Sequence, residues 1–336
     1  MNNQIAIIDF KNQDSGLKII FPEADYFILE EEFDRSIINN KYNIKPIVHN
    51  KDVNVFEFIN DEKYDYLFII GGLYGSLETY NKKNNMLFNK KYKEQLRQTI
   101  EFINKNNFKK ICFFDNYDYD YDPNIIFEEE FKKKYVIFFK RYYNKEKIYN
   151  ENVFPFPYII FGYQCNIEMI TDLYYKNIEK NNEKINRIFF SGSPLIHIDD
   201  TYGVIRERQT ILNKISNIIP LQMPGYLYHD DYMNEMIISK YSLDLLGVGD
   251  PNIRTFEILS SGSLRLGEKS NLKWTFEEEF CEETIFEDEN DLLTKLLKLE
   301  NYPELYKKCI NKQNEIVEKY MNSNILKEYI FEKINK

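Results

Sequence analysis

Apolar residues in the first half of the chain fall in short dense runs, separated by stretches with helical spacing. "QIAIIDF" (4–10), "YDYLFIIGG" (64–72), "KKICFFD" (109–115) and "KYVIFFKR" (134–141) are apolar at nearly every position, as expected for strands buried on both faces of a parallel sheet. Between them, "YKEQLRQTIEFIN" (92–104) places Leu96, Ile100 and Ile103 on one helical face. "VFPFPYIIFG" (153–162) carries two prolines and reads as an extended connector rather than helix. A helix is expected over 168–179.

The rhythm then restarts. "NRIFFSGS" (186–193) reads as a strand entering a small loop, and 201–217 reads as a helix. "IIPLQM" (218–223) reads as a strand, 231–241 as a helix, and "SLDLLGVG" (242–249) as a strand ending in glycines. "RTFEILSSG" (254–262) is a short helix, "SLRLGE" (263–268) a strand, and 288–335 mostly amphipathic helix. Strands alternating with helices predict an α/β class built from two Rossmann-like domains facing a cleft. The expected division is 1–158, a linker over 159–184, a second domain over 185–310, and a last helix over 311–336 packing back on the first domain. At 336 residues the chain is long for one core and suited to two.

Composition narrows the classes. A net charge of −10 disfavours a general nucleic-acid binder, which needs a basic face. No apolar run reaches the length of a membrane span, and the first residues lack the features of a signal peptide, so a cytoplasmic protein is expected. The four cysteines are scattered and never form CxxC, which predicts reduced thiols and no zinc framework. With three histidines, at 49, 197 and 229, a His-rich metal site is also not expected.

In such sheets ligands bind beyond the carboxyl ends of strands, so the glycine-ended strands carry the candidate chemistry. Gly192 and Ser193 follow one strand, where small residues let backbone N–H groups approach an anion. Arg206 and Arg208 follow, and arginine suits bidentate phosphate recognition. The second loop holds Gly249, Asp250 and Asn252, then Arg254, Thr255 and Glu257 at the start of a helix. A cation at a helix N-terminus beside a carboxylate able to take a ribose diol describes a nucleoside-diphosphate pocket. The same residues also fit a plain helix with an Arg254–Glu257 pair at i,i+3. Asp115 ends a strand and opens "FFDNYDYDYDP" (113–123), so Asp115 and Asp118 are candidate bases, with His197 a further catalytic candidate. Asp118, Asp120 and Asp122 also permit a metal-binding DxD reading. "IIGGLYGS" (69–76) lacks the GxGxxG pattern of dinucleotide binding.

"NIRTFEILSSGSLRLGEK" resembles the donor-site helix of GT-B glycosyltransferases, in which R-x-x-E-x-x-x-x-G precedes a strand. Residues 134–270 are similar to that family in the order of the first-domain strand, the proline-bearing connector and the donor strand, loop and helix. The resemblance implies a hexosyltransferase-like enzyme using a UDP- or GDP-sugar, without an obligatory cofactor or metal, acting on a glycan or other hydroxyl acceptor. It implies Glu257 on the ribose, Arg254 and Arg206 on the diphosphate, and the Gly192–Ser193 and Gly247–Pro251 loops lining the pocket. Many retaining relatives carry a second glutamate eight residues before the helix glutamate. Gly249 stands there, which leaves the stereochemistry open. Two alternatives remain: a non-catalytic nucleotide-sugar or glycan binder of the same fold, and a Rossmann-type epimerase or oxidoreductase.

Overall fold

The computed structural model describes residues 4–9, 16–29, 54–71, 90–115, 136–141, 143–156, 167–180, 183–192, 195–196, 206–225, 227–246, 253–273 and 279–336. The chain divides into two units, Met1–Asn166 with Leu326–Lys336, and Ile167–Ile325.

The first unit is built on a six-stranded parallel sheet in the order β2-β1-β3-β4-β5-β6. Its strands are β1 (Ile5–Asp9), β2 (Asp25–Ile28), β3 (Tyr66–Ile70), β4 (Lys110–Asp115), β5 (Val136–Lys140) and β6 (Val153–Pro155). The apolar runs at 4–10, 64–72, 109–115 and 134–141 are these buried strands. One face packs Ala6, Ile8, Leu67, Ile69, Phe113 and Phe138 into a core with Ile100 and Ile103 of helix α2 (Lys90–Lys105), which follows the short α1 (Gly16–Ile20). The other face carries an aromatic row, with Phe68 edge-on to Phe114 and Phe114 stacked on Phe139 at 4.9 Å between centroids.

Two elements differ from the sequence expectation. The segment after Tyr149 is not all connector, because Val153–Pro155 pairs in parallel with Phe138–Lys140. Pro155 is tolerated because β6 is the sheet edge, where its missing N–H faces no partner strand. Strand β2 also has no counterpart in the sequence reading; it is short and sits on the opposite edge beside β1. The final helix, the last of the chain (Ser323–Ile334), buries Leu326, Ile330 and Ile334. Its Phe331 ring meets Phe21 and Tyr66, and the Tyr329 hydroxyl donates to the Pro155 carbonyl at 2.6 Å.

The second unit begins with α3 (Ile167–Lys180), which lies inside the segment expected as linker. Its five-stranded parallel sheet runs β10-β7-β11-β12-β13. The strands are β7 (Ile185–Phe189), β10 (Leu221–Gln222), β11 (Ser239–Asp244), β12 (Leu264–Glu268) and β13 (Ile285–Phe286), with a separate antiparallel pair β8 (Leu195–Ile196) and β9 (Arg206–Glu207). Helices α4 (Gln209–Ile215), α5 (His229–Ile238), α6 (Ile253–Ser261), α7 (Glu289–Asn301) and α8 (Pro303–Tyr320) surround it; the final helix described above is α9. Ile188, Phe190, Tyr241, Leu243, Leu264 and Leu266 form the core with Leu292, Leu296 and Leu299 of α7.

The helix expected over 201–217 is shorter. Arg206 lies on β9, paired with Ile196, and the helix begins at Gln209. Arg208 ends the extended pairing: its guanidinium donates to the carbonyls of Leu245 at 3.3 Å and Leu246 at 2.6 Å, fixing the turn before α4. At the other end of the site helix, Gly262 adopts φ 67°, the left-handed position that closes α6. Lys184 donates to the C-terminal carbonyls of Ile237 on α5 and Ser261 on α6, and burial pulls its ammonium down to about 8. No helix among the described residues is long and apolar enough to cross a membrane.

Candidate functional site

Strand order locates the site. From β7 the chain goes out to β10, then returns past β7 to β11 on its other side. The C-terminal ends of β7 and β11 therefore flank a topological switch point, where open parallel sheets leave a crevice for ligands. Phe190 and Gly192 follow β7; Leu245 and Leu246 follow β11, and α6 comes next in the chain.

Arg254, in the first turn of α6, lies across this crevice. Its guanidinium carbon is 5.2 Å from the centre of the Phe190 ring, and Arg208 shares that ring at 5.9 Å. A Cβ at Gly192 would lie 2.6 Å from Arg254 Nη2, so only glycine admits the guanidinium in this place. Arg254 Nη1 is buried and has no hydrogen-bond partner among the described residues. A buried cationic N–H left without an acceptor costs about 1–3 kcal/mol or more, so native proteins rarely keep one without a use. Replacing Gly192 by alanine should move the guanidinium and weaken nucleoside-diphosphate binding about tenfold, roughly 1.4 kcal/mol. Because Gly192 is exposed, the melting temperature should stay nearly unchanged. Calorimetric titration with UDP and GDP checks this.

Glu257 sits one turn further on and is 8% exposed. It does not pair with Arg254; its Oε2 accepts the Tyr232 hydroxyl at 2.8 Å, and its Oε1 lies 3.8 Å from His229 Nδ1. The simple intrahelical ion pair that the sequence permits is thus not formed. Burial raises the Glu257 carboxyl above its ordinary 4.5, against the opposing pull of the Tyr232 hydrogen bond and the charges of His229 and Arg254. Burial and the nearby Glu257 push the Tyr232 hydroxyl well up, keeping it a donor.

This pKa shift has a sign. A carboxyl whose folded pKa is raised contributes stability that is fully present below pH 4.5 and lost as pH rises through the folded value. Glu257→Gln should therefore flatten the fall in melting temperature from pH 4.5 to neutrality, while weakening ribose-containing ligands. Melting curves across that range, against wild type, check it. An unchanged slope would remove Glu257 as its source.

Thr255 is fully buried and turned to the framework: its Oγ1 donates to Asp244 Oδ2 at 2.9 Å. Asp244, the last residue of β11, also accepts from Arg265 Nε at 2.6 Å, and both side chains of that ion pair are 4% exposed. A Cβ at Gly267 would strike the Arg265 guanidinium at 2.2 Å, so the glycine two residues along β12 makes its room. Thr255 and Asp244 thereby fasten the first turn of α6 to the end of β11.

In the first unit, Asp115 stands at the C-terminal end of β4 with its side chain enclosed. Lys140, its register neighbour on β5, donates to Asp115 Oδ2 at 3.2 Å, and both side chains are 0% exposed. Asp9, at the same edge of the sheet on β1, accepts the Tyr26 hydroxyl at 2.8 Å.

Arg254, Glu257 and Gly192 are brought to one crevice, with Thr255 behind it. Ser193, His197, Asp118, Gly249, Asp250 and Asn252 lie outside the described residues, as does the side chain of Arg206. Sequence reasoning missed Tyr232, His229, Phe190 and Asp244. The readable signal for the first two was their i,i+3 spacing at the start of one helix, which puts a phenol and an imidazole on one face.

No protein-family model matches the chain, and no curated protein matches it. Solved structures align along nearly its whole length. The phage T4 β-glucosyltransferase in complex with its UDP-glucose substrate is 13% identical, with 99% of this chain and 100% of that chain covered and a TM-score of 0.48. UDP-GlcNAc 2-epimerase from Neisseria meningitidis, bound to UDP-GlcNAc, is 11% identical, with 99% of each chain covered and a TM-score of 0.47. Sucrose-phosphate synthase from Thermosynechococcus elongatus is 11% identical, with 98% of each chain covered and a TM-score of 0.42. A further structure of the phage enzyme holds UDP and Mn²⁺.

Proposed function

We propose that this chain is a glycosyltransferase that moves a sugar from a nucleoside-diphosphate sugar to a hydroxyl acceptor. The observation that carries the reading is the buried Nη1 of Arg254, which has no hydrogen-bond partner among the described residues, at the switch point of the second sheet. Breaking the bond between the anomeric carbon and the phosphate oxygen leaves negative charge on the diphosphate. Arg254 and the N-terminal N–H groups of α6 stand ready for that charge in a site partly closed to water. Tyr232 holds one oxygen of Glu257, and the other, 3.8 Å from His229 Nδ1, is the one assigned to the ribose hydroxyls. Arg208 is committed to the Leu245 and Leu246 carbonyls, so Arg206 is the second phosphate cation in this proposal. The base that takes the acceptor proton is assigned to Asp115, the last residue of β4, and to Asp118, three positions later in the sequence. Lys140 already holds Asp115, which makes Asp118 the cleaner position to test.

The test is a thermal-shift screen with UDP- and GDP-sugars, with and without Mn²⁺, followed by assay of nucleoside-diphosphate release. A donor should raise the melting temperature. Asp115→Asn and Asp118→Asn should keep that shift and lose turnover. Full turnover in both variants would remove the base assignment. An epimerised sugar nucleotide as the product would replace transfer by isomerisation, and the absence of a shift with every donor would remove the nucleotide pocket.

A further inference from the structure

Cys281 and Cys309 are 28 positions apart, yet their thiols and the Glu283 carboxylate come together, with all three donor atoms within 4.8 Å of one another. Cys281 precedes the short 3₁₀ turn Glu282–Thr284 that leads into β13, and Cys309 comes from α8. The turn is fixed by Thr284, whose backbone N–H and hydroxyl both donate to the Cys281 carbonyl, at 3.0 and 2.8 Å.

We propose that Cys281, Glu283 and Cys309 form a zinc site that ties the segment before β13 to α8. Two sulfurs and a carboxylate oxygen are a donor set for a borderline ion such as Zn²⁺ rather than for Mg²⁺ or Ca²⁺. Tetrahedral zinc at Zn–S distances of about 2.3 Å holds two thiolates roughly 3.8 Å apart, a spacing the cluster accommodates. The thiols are 7% and 1% exposed, while Glu283 reaches towards solvent, so water completes the fourth position. Without a cation the grouping is poorly matched. Glu283 makes no hydrogen bond or ion pair with the described residues. On binding zinc each thiol gives its proton to water, two protons leave per ion, and three donors then face a divalent charge.

The experiment uses the full chain, reduced and stripped with chelator, without nucleotide. It is titrated with Co²⁺ alone and then with Zn²⁺ alone. One Co²⁺ per chain should bind with thiolate-to-metal charge-transfer absorption, Zn²⁺ should displace it, and Zn²⁺ should raise the melting temperature. Cys281→Ser and Cys309→Ala should lose the charge-transfer band. Glu283→Gln, an exposed-side change that leaves both thiols in place, should keep the band and weaken Zn²⁺ about tenfold. It carries the test if a cysteine variant fails to fold. No charge-transfer band in the wild type, a band that survives Cys281→Ser, or unchanged Zn²⁺ affinity in Glu283→Gln would overturn the site. So would a non-reduced chain lighter by two hydrogens with Cys281 joined to Cys309. Each of these results leaves the nucleotide pocket untouched.

Discussion

Replacing Arg254 by methionine is expected to weaken nucleoside-diphosphate binding by about 100-fold and to leave the protein as stable as before, or more so. The two effects have one cause. Arg254 Nη1 is buried without an acceptor among the described residues, so the side chain carries a desolvation cost that no hydrogen bond to them repays. Methionine keeps much of the packing on Phe190 and removes that cost. In the proposed complex the same nitrogen would face a diphosphate, and losing one partner of a buried charge pair typically costs about 2–5 kcal/mol. Titration calorimetry with UDP and GDP measures the first effect and thermal melting the second. A fall of many degrees in melting temperature with little loss of affinity would make Arg254 a structural residue and empty the pocket of its main cation.

The second large effect is on stability. Asp244→Ala should destabilise the second unit by about 3–5 kcal/mol, because it removes the carboxylate from an ion pair that is almost wholly buried and strips Thr255 of its acceptor. Urea denaturation should show a lower midpoint at an unchanged slope. The double change Asp244→Ala with Arg265→Met should recover part of the loss, since an apolar replacement of a whole buried pair is tolerated better than half a pair. If the single variant costs less than about 1 kcal/mol, the Asp244–Arg265 pair is not what fastens α6 to the sheet.

The strands of both sheets were legible where burial on both faces writes itself as an unbroken apolar run, as at Tyr66–Ile70 and Lys110–Asp115. Val153–Pro155 was not, because prolines mark edge strands and connectors alike. The helix start at Gln209 was also hidden: the carbonyls that hold Arg208 lie 37 and 38 residues further along the chain. In the candidate site, Arg254 and Glu257 are legible as candidates because their spacing and the flanking glycines are local. Their partners could not. Tyr232 reaches Glu257 from a helix 25 positions earlier, and Gly192 meets Arg254 only because β7 and β11 are neighbours in the sheet. The sequence left open whether Arg254 and Glu257 simply neutralise each other on one helix. The geometry answers that by giving Glu257 to Tyr232 and leaving Arg254 Nη1 without a hydrogen-bond partner among the described residues.

A crystal structure of the chain with bound UDP tests this account most directly. A diphosphate oxygen is expected about 2.7–3.1 Å from Arg254 Nη1, at the N-terminus of α6, with a ribose hydroxyl on Glu257. UDP bound elsewhere, with Arg254 Nη1 still buried and unpartnered, would contradict it.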